Sequence, residues 1–291
     1  MSVAADLRAD AEGLSGGLPP LLAEAEHLAQ TVILGDHGRR RVGLGDEFWQ
    51  YRPSRPGDEA RMIDWRRSAR SDGHFVREKE WQAAQTVILW VDRARSMDFA
   101  SDAKLPTKEG RGRLLALALA VLLNRGGERV GLTDHEVPPR SGRLQMLRLA
   151  DALTRAEDAG DYGAPVLRGT PGHARAVLVS DFLSRFDEVE AQLLEAADHG
   201  VKGVLLQVLD PAEEAFPYDG RTVFESVGGT LRHETLKASD LKGRYLARLA
   251  ERKDRLTALA RLTGWQYLCH HTDASPQAAL LWVYGAVERR R

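Results

Sequence analysis

The chain has 291 residues, enough to form one large domain or two ordinary ones with a well-buried core. Its 41 lysine and arginine residues nearly balance its 42 aspartate and glutamate residues, so the formal charge of −1 provides no overall attraction to nucleic acid, anionic membranes or acidic ligands. The single cysteine, Cys269, excludes an internal disulfide framework and a cysteine-rich zinc site, and it fits a reducing compartment.

The N-terminal residues show no basic segment followed by an apolar one, so we predict no secretory signal and a cytoplasmic location. The longest apolar run, residues 114–123, is about half as long as a membrane-spanning helix. The sequence therefore predicts a buried helix at this run and no direct membrane span.

Residues 1–84 differ in character from the rest of the chain and are predicted to form an N-terminal segment. A weak helical pattern at 18–30 precedes residues 39–80, which carry 11 basic and 8 acidic residues with turn signals between extended stretches. We predict a β-rich segment that packs on the remaining chain or forms a small domain beside it.

Residues 85–291 alternate short apolar runs, rich in β-branched residues, with longer helical patterns. This alternation predicts an α/β domain in which a mostly parallel, Rossmann-like sheet is flanked by helices. The predicted strands are 86–91, 128–133, 174–182, 201–210 and 265–271, and the predicted helices are 112–127, 143–158, 188–200, 241–264 and 276–289.

Aspartates follow three of the predicted strands, at Asp92, Asp181 and Asp210, and Asp98 lies just beyond the first. Ligands bind outside the carboxyl ends of parallel strands, which makes these aspartates candidate site residues. Converging carboxylates repel one another and need a compensating positive charge. Mg²⁺ held by carboxylate and serine oxygens is one source of that charge, and Arg93 or Arg95 is another. The alternative is that each aspartate only caps the helix that follows it.

The stretch "RMIDWRRSAR" (61–70) surrounds Ile63 and Trp65 with arginines and an aspartate. One interpretation is a partner-binding or phosphate-binding patch with a tryptophan anchor. The interpretation that we favour is structural, because the two charge signs alternate: Trp65 buries its ring, and aspartates pair with arginines to hold the segment in place. With two residues that precede this stretch, we define a partner-binding or structural signature of Arg52, Asp58, Arg61, Asp64, Trp65, Arg66 and Arg70.

Residues 43–81, "GLGDEFWQYRPSRPGDEARMIDWRRSARSDGHFVREKEW", together with the later "VDRARSM" and "VLVSDF", resemble the bacterial proteins grouped as domain of unknown function 58. The resemblance covers about residues 35–285. It implies a core similar to von Willebrand factor type A domains and genes that often neighbour MoxR-type AAA+ ATPases. The implied role is a binding or assembly module with a protein partner, plausibly a MoxR-type ATPase, rather than a catalyst.

Type A domains that bind Mg²⁺ use an Asp-x-Ser-x-Ser motif, a threonine from a later loop and an aspartate after a central strand. The resemblance places Asp92, Ser96 and Asp181 on three of these positions. Ala94 replaces the middle serine, and the chain reads "GDYG" (160–163) near the place of the threonine, where Asp161 is the available oxygen ligand. The resemblance therefore implies a degenerate metal-ion-dependent adhesion site that binds Mg²⁺ weakly or not at all.

Two further patterns bear on catalysis. His270 and His271 follow the last predicted strand with Asp273 nearby, but the sequence shows no partnered nucleophile or second ligand cluster, so we interpret them as ordinary histidines. No glycine-rich segment matches a dinucleotide fingerprint or a Walker sequence, which argues against ATP hydrolysis.

The sequence thus favours a non-catalytic protein-binding module that needs no cofactor or binds Mg²⁺ weakly. The alternative is a metal-dependent phosphoesterase or nuclease in which Asp92, Asp98, Asp181 and Asp210 hold two cations. The sequence shows neither an evident general base nor a phosphate-binding loop for that alternative. The oligomeric state stays open.

Overall fold

The computed structural model describes residues 19–35, 48–54, 63–70, 73–79, 84–133, 137–155, 160–225 and 232–288. The chain divides into two compact units, one made of Met1–Gly38 with Gln85–Arg291 and the other of Arg39–Ala84. The N-terminal helix belongs to the larger unit, and the segment that follows it makes up the smaller one.

Helices and strands are numbered along the whole chain. The helices are α1 (Pro20–Gly35), α2 (Trp65–Ser68), α3 (Lys108–Arg125), α4 (Arg143–Thr154), α5 (Phe186–Asp198), α6 (Pro211–Ala215), α7 (Ser239–Thr263) and α8 (Pro276–Glu288). The strands are β1 (Phe48–Pro53), β2 (Phe75–Lys79), β3 (Thr86–Val91), β4 (Arg129–Leu132), β5 (Arg175–Ser180), β6 (Lys202–Leu209), β7 (Thr222–Glu225), β8 (Arg232–Thr235) and β9 (Gln266–His271). The short segment Arg95–Met97 forms a 3₁₀ turn.

A five-stranded parallel sheet forms the centre of the larger unit, which confirms the predicted fold class. The spatial order of its strands is β4-β3-β5-β6-β9, and every neighbouring pair is parallel. Successive residues of β5 face opposite sides, so Val177 and Val179 enter one apolar core while Ala176 and Leu178 enter the other. The sheet is therefore buried on both faces, as parallel sheets usually are.

The helices cover the two faces unequally. The larger core contains residues of α1, α3, α4 and α8, and the smaller core contains residues of α5 and α7. The apolar run 114–123 lies within α3 and is buried throughout, as the sequence predicts. The helix begins four residues earlier than predicted because the Thr107 hydroxyl accepts a hydrogen bond from the Gly110 N–H (3.0 Å) and caps it.

The segment between β6 and α7 contains elements that the sequence analysis did not predict. The short helix α6 follows β6, and β7 and β8 then form an antiparallel hairpin. Phe216 adopts a left-handed conformation with φ of 42° at the end of α6. Its ring stacks on Phe224 and packs against Tyr218 and Tyr245, with centroids 5.1 to 5.7 Å apart. This aromatic cluster ties the hairpin to α6 and α7.

The described part of the smaller unit is a two-stranded antiparallel sheet, β1 with β2, and the single-turn helix α2, which lies between the two strands in the chain. Asp64 caps α2 by accepting a hydrogen bond from the Arg67 N–H at 2.9 Å. Ser68 is buried, and its hydroxyl accepts from the Phe75 N–H and donates to the Asp64 carbonyl. These bonds hold the helix on the start of β2.

The interpretation that Trp65 buries its ring is wrong for the described residues, because its side chain is 58 % exposed. Trp65 is the first residue of α2, a helix that buries only Ser68, and its ring meets the edge of His74 at 5.5 Å. Arg66 and Arg70 are exposed as well. Arg52 lies in β1, whereas Asp58 and Arg61 lie outside the described residues.

Within the described ranges, every helix is either too short or too polar to cross a membrane.

Candidate functional site

The order of connection reverses at β3. The chain passes from β3 to β4 on one side and then returns to β5 on the other side. Asp92 directly follows β3 and Asp181 directly follows β5, and the Asp92 N–H donates to the carbonyl of Val179 at 2.8 Å. Because ligand crevices form outside the carboxyl ends of strands at such a reversal, the fold brings these two predicted residues to the expected position.

Asp92 is buried, and both of its carboxylate oxygens accept hydrogen bonds. Oδ1 accepts from the Ala94 N–H (2.9 Å), and Oδ2 accepts from the Ser180 hydroxyl (2.6 Å). Burial raises the pKa of Asp92 from 3.8 to about 6, although the two hydrogen bonds act in the opposite direction. Asp92 therefore exchanges its proton within a range close to neutral pH.

The "GDYG" loop at 160–163 packs directly on this aspartate. Its backbone carbonyls at Gly160 and Asp161 accept hydrogen bonds from the N–H groups of Arg95 and Ser96, at 3.0 and 2.9 Å. Gly163 approaches so closely that an added methyl group would overlap the Asp92 carboxylate. The loop thus packs against Asp92, and Asp161 contributes its backbone carbonyl to the contact with Ser96.

Lys108 is the main component of the site that the sequence analysis missed. It is the first residue of α3 and is 1 % exposed, and its Nζ contacts Asp181 Oδ2 at 2.9 Å and Glu213 Oε1 at 2.7 Å. Burial alone would lower the pKa of Lys108, but the negative charges of Asp181 and Glu213 outweigh burial and raise it. The ammonium group is therefore a fixed positive charge among carboxylates.

Helix α6 supplies the second carboxylate of this ion cluster. Asp210 accepts from the Ala212 N–H, while the Glu213 side chain accepts from the Asp210 N–H, a reciprocal capping box. The other Asp210 oxygen accepts from the Ser101 N–H at 2.9 Å. Asp210 therefore acts as a helix cap, the alternative that the sequence analysis left open, and Glu213 is the residue that reaches Lys108.

A cavity of about 500 Å³ opens beside the ion cluster. Lys108, Asp181 and Glu213 line it, together with aromatic rings of the cluster around Phe216. Arg244 and Arg248 of α7 also line the cavity, are exposed, and make no salt bridge with other described residues. The buried Ser96 hydroxyl oxygen lines it too and has no hydrogen-bond partner among the described residues.

The carboxylates of Asp92 and Asp181, two residues of the predicted cation site, accept hydrogen bonds from donors of the chain itself. Asp92 accepts two hydrogen bonds, and Asp181 accepts from the Leu183 N–H (3.0 Å) and from Lys108 (2.9 Å). Mg²⁺ takes about six oxygen ligands in near-octahedral geometry. Waters commonly supply several of these ligands, but a Mg²⁺ ion would have to compete with the Lys108 ammonium group for the Asp181 carboxylate. Lys108 supplies positive charge where the sequence analysis sought a cation or an arginine.

The four aspartates of the phosphoesterase alternative have separate roles in the structure. Asp92 and Asp181 lie at the strand reversal, and Asp210 caps α6. Asp98 is exposed and ends the 3₁₀ turn. These positions give no shared set of carboxylate oxygens aimed at two cations.

Together these features define a class of protein: a parallel α/β sheet with a buried lysine that contacts two carboxylates at its carboxyl edge. Residues 50–255 match the family described as "Protein of unknown function DUF58", and the chain belongs to this family. Related chains include the uncharacterized protein Rv1480 of Mycobacterium tuberculosis and the uncharacterized protein Mb1516 of Mycobacterium bovis. Each is 28 % identical over 226 residues, which cover 73 % of this chain and 70 % of the relative.

Two solved structures are distantly similar to the chain. One is the conserved hypothetical protein BatB from Bacteroides thetaiotaomicron, with 13 % identity and a TM-score of 0.39. The other is an aerotolerance-related membrane protein from Bacteroides fragilis, with 12 % identity and a TM-score of 0.40. Each alignment covers 70 % of this chain and 98 % of the other.

Proposed function

We propose that this chain is a non-catalytic binding module that holds a protein partner at the carboxyl edge of its sheet without an intervening metal ion. The observation that carries the proposal is the cavity of about 500 Å³ beside an ion cluster in which Lys108 already contacts two carboxylates. Pockets with an apolar wall and a few convergent polar groups are the usual form of a binding site.

The lining of the cavity indicates the chemistry of the segment that it holds. The rings of Tyr218, Phe224 and Tyr245 provide a surface for an apolar anchor, and buried anchors of this kind dominate the energy of protein interfaces. Arg244 and Arg248 are placed to pair with acidic groups through charge-assisted hydrogen bonds. We therefore assign to this edge a partner segment with an apolar side chain flanked by carboxylates.

The family resemblance directs the choice of partner to a MoxR-type AAA+ ATPase. The test is isothermal titration calorimetry of the full chain against the purified, nucleotide-free ATPase of the same source, in Mg²⁺ and in chelator. The proposal predicts binding with the same affinity in both conditions. Arg244→Glu should weaken it by at least tenfold, about 1.4 kcal/mol.

Arg143→Glu is the matched control, because Arg143 is an exposed arginine of α4 that does not line the cavity. Equal weakening in the control variant would show a nonspecific charge effect and reject the site. Loss of binding in chelator, restored by Mg²⁺, would show that a cation is required and reject the metal-free mechanism. No binding to the ATPase would reject this partner.

The proposal also predicts no turnover of a generic phosphodiester in the presence of Mn²⁺ or Mg²⁺. Activity that disappears in Asp181→Ala would instead establish the phosphoesterase alternative.

A further inference from the structure

Three side chains of metal-binding type lie together at the end of the edge strand β9. Cys269 and His271 are two residues apart on this strand and so project from the same face. Glu214 reaches them from α6. The Cys269 sulfur, a His271 ring nitrogen and a Glu214 carboxylate oxygen all lie within 4.8 Å of one another. None of the three lines the cavity described above.

The sheet register brings these residues together across a long stretch of chain. Leu209, at the end of β6, pairs with His271, and the Thr272 N–H donates to the carbonyl of Leu209 at 3.0 Å. Helix α6 starts two residues after Leu209, and its Glu214 lies beside His271 at the end of β9. Because adjacent helix residues point in different directions, Glu213 contacts Lys108 while Glu214 contacts His271.

Glu214 lies next to His271, and Lys253 of α7 lies next to both Glu214 and Cys269. His271 Nε2 lies 2.8 Å from Glu214 Oε2, but the pair lacks hydrogen-bond geometry. The Lys253 ammonium group also contacts the Glu214 carboxylate. The group therefore already attracts a cation, and Lys253 is about one-quarter exposed on a long, flexible stem that can turn into solvent.

We propose that Glu214, Cys269 and His271 bind one Zn²⁺-type cation, with a fourth coordination position open to water. One thiolate, one imidazole and one carboxylate are ligands that Zn²⁺ accepts at about 2.0–2.3 Å, and a sulfur ligand selects such a metal over Mg²⁺. Binding requires the three ligand atoms to close in on the metal by about 1 Å or less. The Cys269 thiol releases its proton to water, and Lys253 leaves both the Glu214 carboxylate and the Cys269 sulfur.

This site is independent of the proposed partner-binding edge, and its test uses metal alone. The full chain is titrated with Co²⁺, whose thiolate complexes show an intense near-ultraviolet charge-transfer band, and then with Zn²⁺ as a competitor. The expected result is one equivalent of Co²⁺ bound with the thiolate band, displaced by one equivalent of Zn²⁺. Cys269→Ser should remove the band, and His271→Ala should weaken binding by more than the roughly 10- to 100-fold typical of losing a supporting residue.

Two further variants make the test decisive. Lys253→Ala should bind metal at least as tightly as the wild type, because it removes the competing ammonium group. His199→Ala, a change of an exposed histidine outside the cluster, should leave binding unchanged. Thermal melts of each variant establish that it is folded. The proposal is overturned if the folded wild type binds no Co²⁺ or Zn²⁺, or if binding is the same in Cys269→Ser.

Discussion

Lys108 occupies a position that is unfavourable for a lysine on two counts. The first turn of a helix disfavours positive charge, and burial removes the ammonium group from water. The contacts to Asp181 and Glu213 offset both costs. Burial of the charged lysine is therefore tolerated only because of these two contacts. Burial of the two carboxylates in turn requires the lysine.

Replacing Lys108 with methionine should lower the free energy of unfolding by about 3–5 kcal/mol, because it leaves two buried carboxylates without their partner. The measurement is urea denaturation at neutral pH. Lys104→Met is the matched control, because Lys104 is an exposed lysine four residues earlier, and it should change stability by less than about 0.5 kcal/mol. Adding Glu213→Gln to Lys108→Met should recover part of the loss; no recovery would show that unpaired charge is not the cause.

Asp92 should give the protein a measurable pH dependence. Its pKa is 3.8 in the unfolded chain and about 6 in the folded chain, so the folded state holds the proton more tightly. The contribution of Asp92 to stability is therefore largest below pH 3.8 and falls as pH rises to about 6, by roughly 3 kcal/mol in total.

The difference in unfolding free energy between wild type and Asp92→Asn isolates this effect. Burial lowers the pKa of His270 to about 4, so His270 makes stability fall as pH drops below 6.5, the opposite trend. Both groups affect the pH dependence of stability in the wild type. The contribution of His270 is the same in wild type and Asp92→Asn, so it cancels when their unfolding free energies are subtracted. Wild type should lose stability relative to Asp92→Asn between about pH 4 and pH 7. A constant difference across this range would contradict the raised pKa.

Sequence reasoning located Asp92 and Asp181 because a residue after a parallel strand can only lie at the carboxyl edge of the sheet. It could not locate Lys108. The burial of Lys108 depends on α3 starting at Thr107 and on contacts 73 and 105 residues away in the chain. Trp65 shows the opposite error: a large ring among charges was expected to be buried, but a one-turn helix has too little surface to bury it.

At the level of elements, the loop 160–163 is fixed by its fit against Asp92. Gly163→Ala should destabilise the protein by about 1–3 kcal/mol, because the new methyl group displaces a carboxylate that two hydrogen bonds hold in place. Thermal denaturation followed by circular dichroism measures this change.

Gly243→Ala is the control for this prediction. Gly243 lies inside α7 with no atom within 4 Å of the added methyl group, so the substitution should stabilise the helix by about 0.5–1 kcal/mol. Equal changes in stability for the two substitutions would mean that the close contact between Gly163 and Asp92 does not affect the free energy of unfolding.

The elements of the larger unit differ in how readily the sequence reveals them. The strand 86–91 is six apolar or β-branched residues between polar flanks and was predicted with its observed bounds. The hairpin of β7 and β8 was missed because it is exposed and charged, with the sequences "TVFE" and "RHET". Its position is set by ring packing around Phe216, a tertiary contact that no local periodicity marks.

At the level of the whole molecule, α1 belongs to a core that is otherwise formed by residues after Gln85. Leu28 of α1 is buried in the larger core, where α1 packs with α3 and α8. Leu28→Ala should therefore destabilise the α/β unit by about 2–5 kcal/mol, measured by urea denaturation. Gln30→Ala, an exposed position two residues later, should have little effect. Equal stability of the two variants would show that α1 is not part of this core.

The three residues of the ion cluster are synthesised far apart in time. During synthesis Lys108 leaves the ribosome first, Asp181 follows 73 residues later and Glu213 follows 105 residues later. At about 5–20 residues per second, the lysine waits on the order of 5–20 seconds for its second partner. Until β5 is made, which begins 67 residues after Lys108, only β3 and β4 of the five sheet strands are available to cover the apolar run of α3. A message truncated before the codon for Glu213 should therefore yield an aggregating fragment rather than a smaller folded protein.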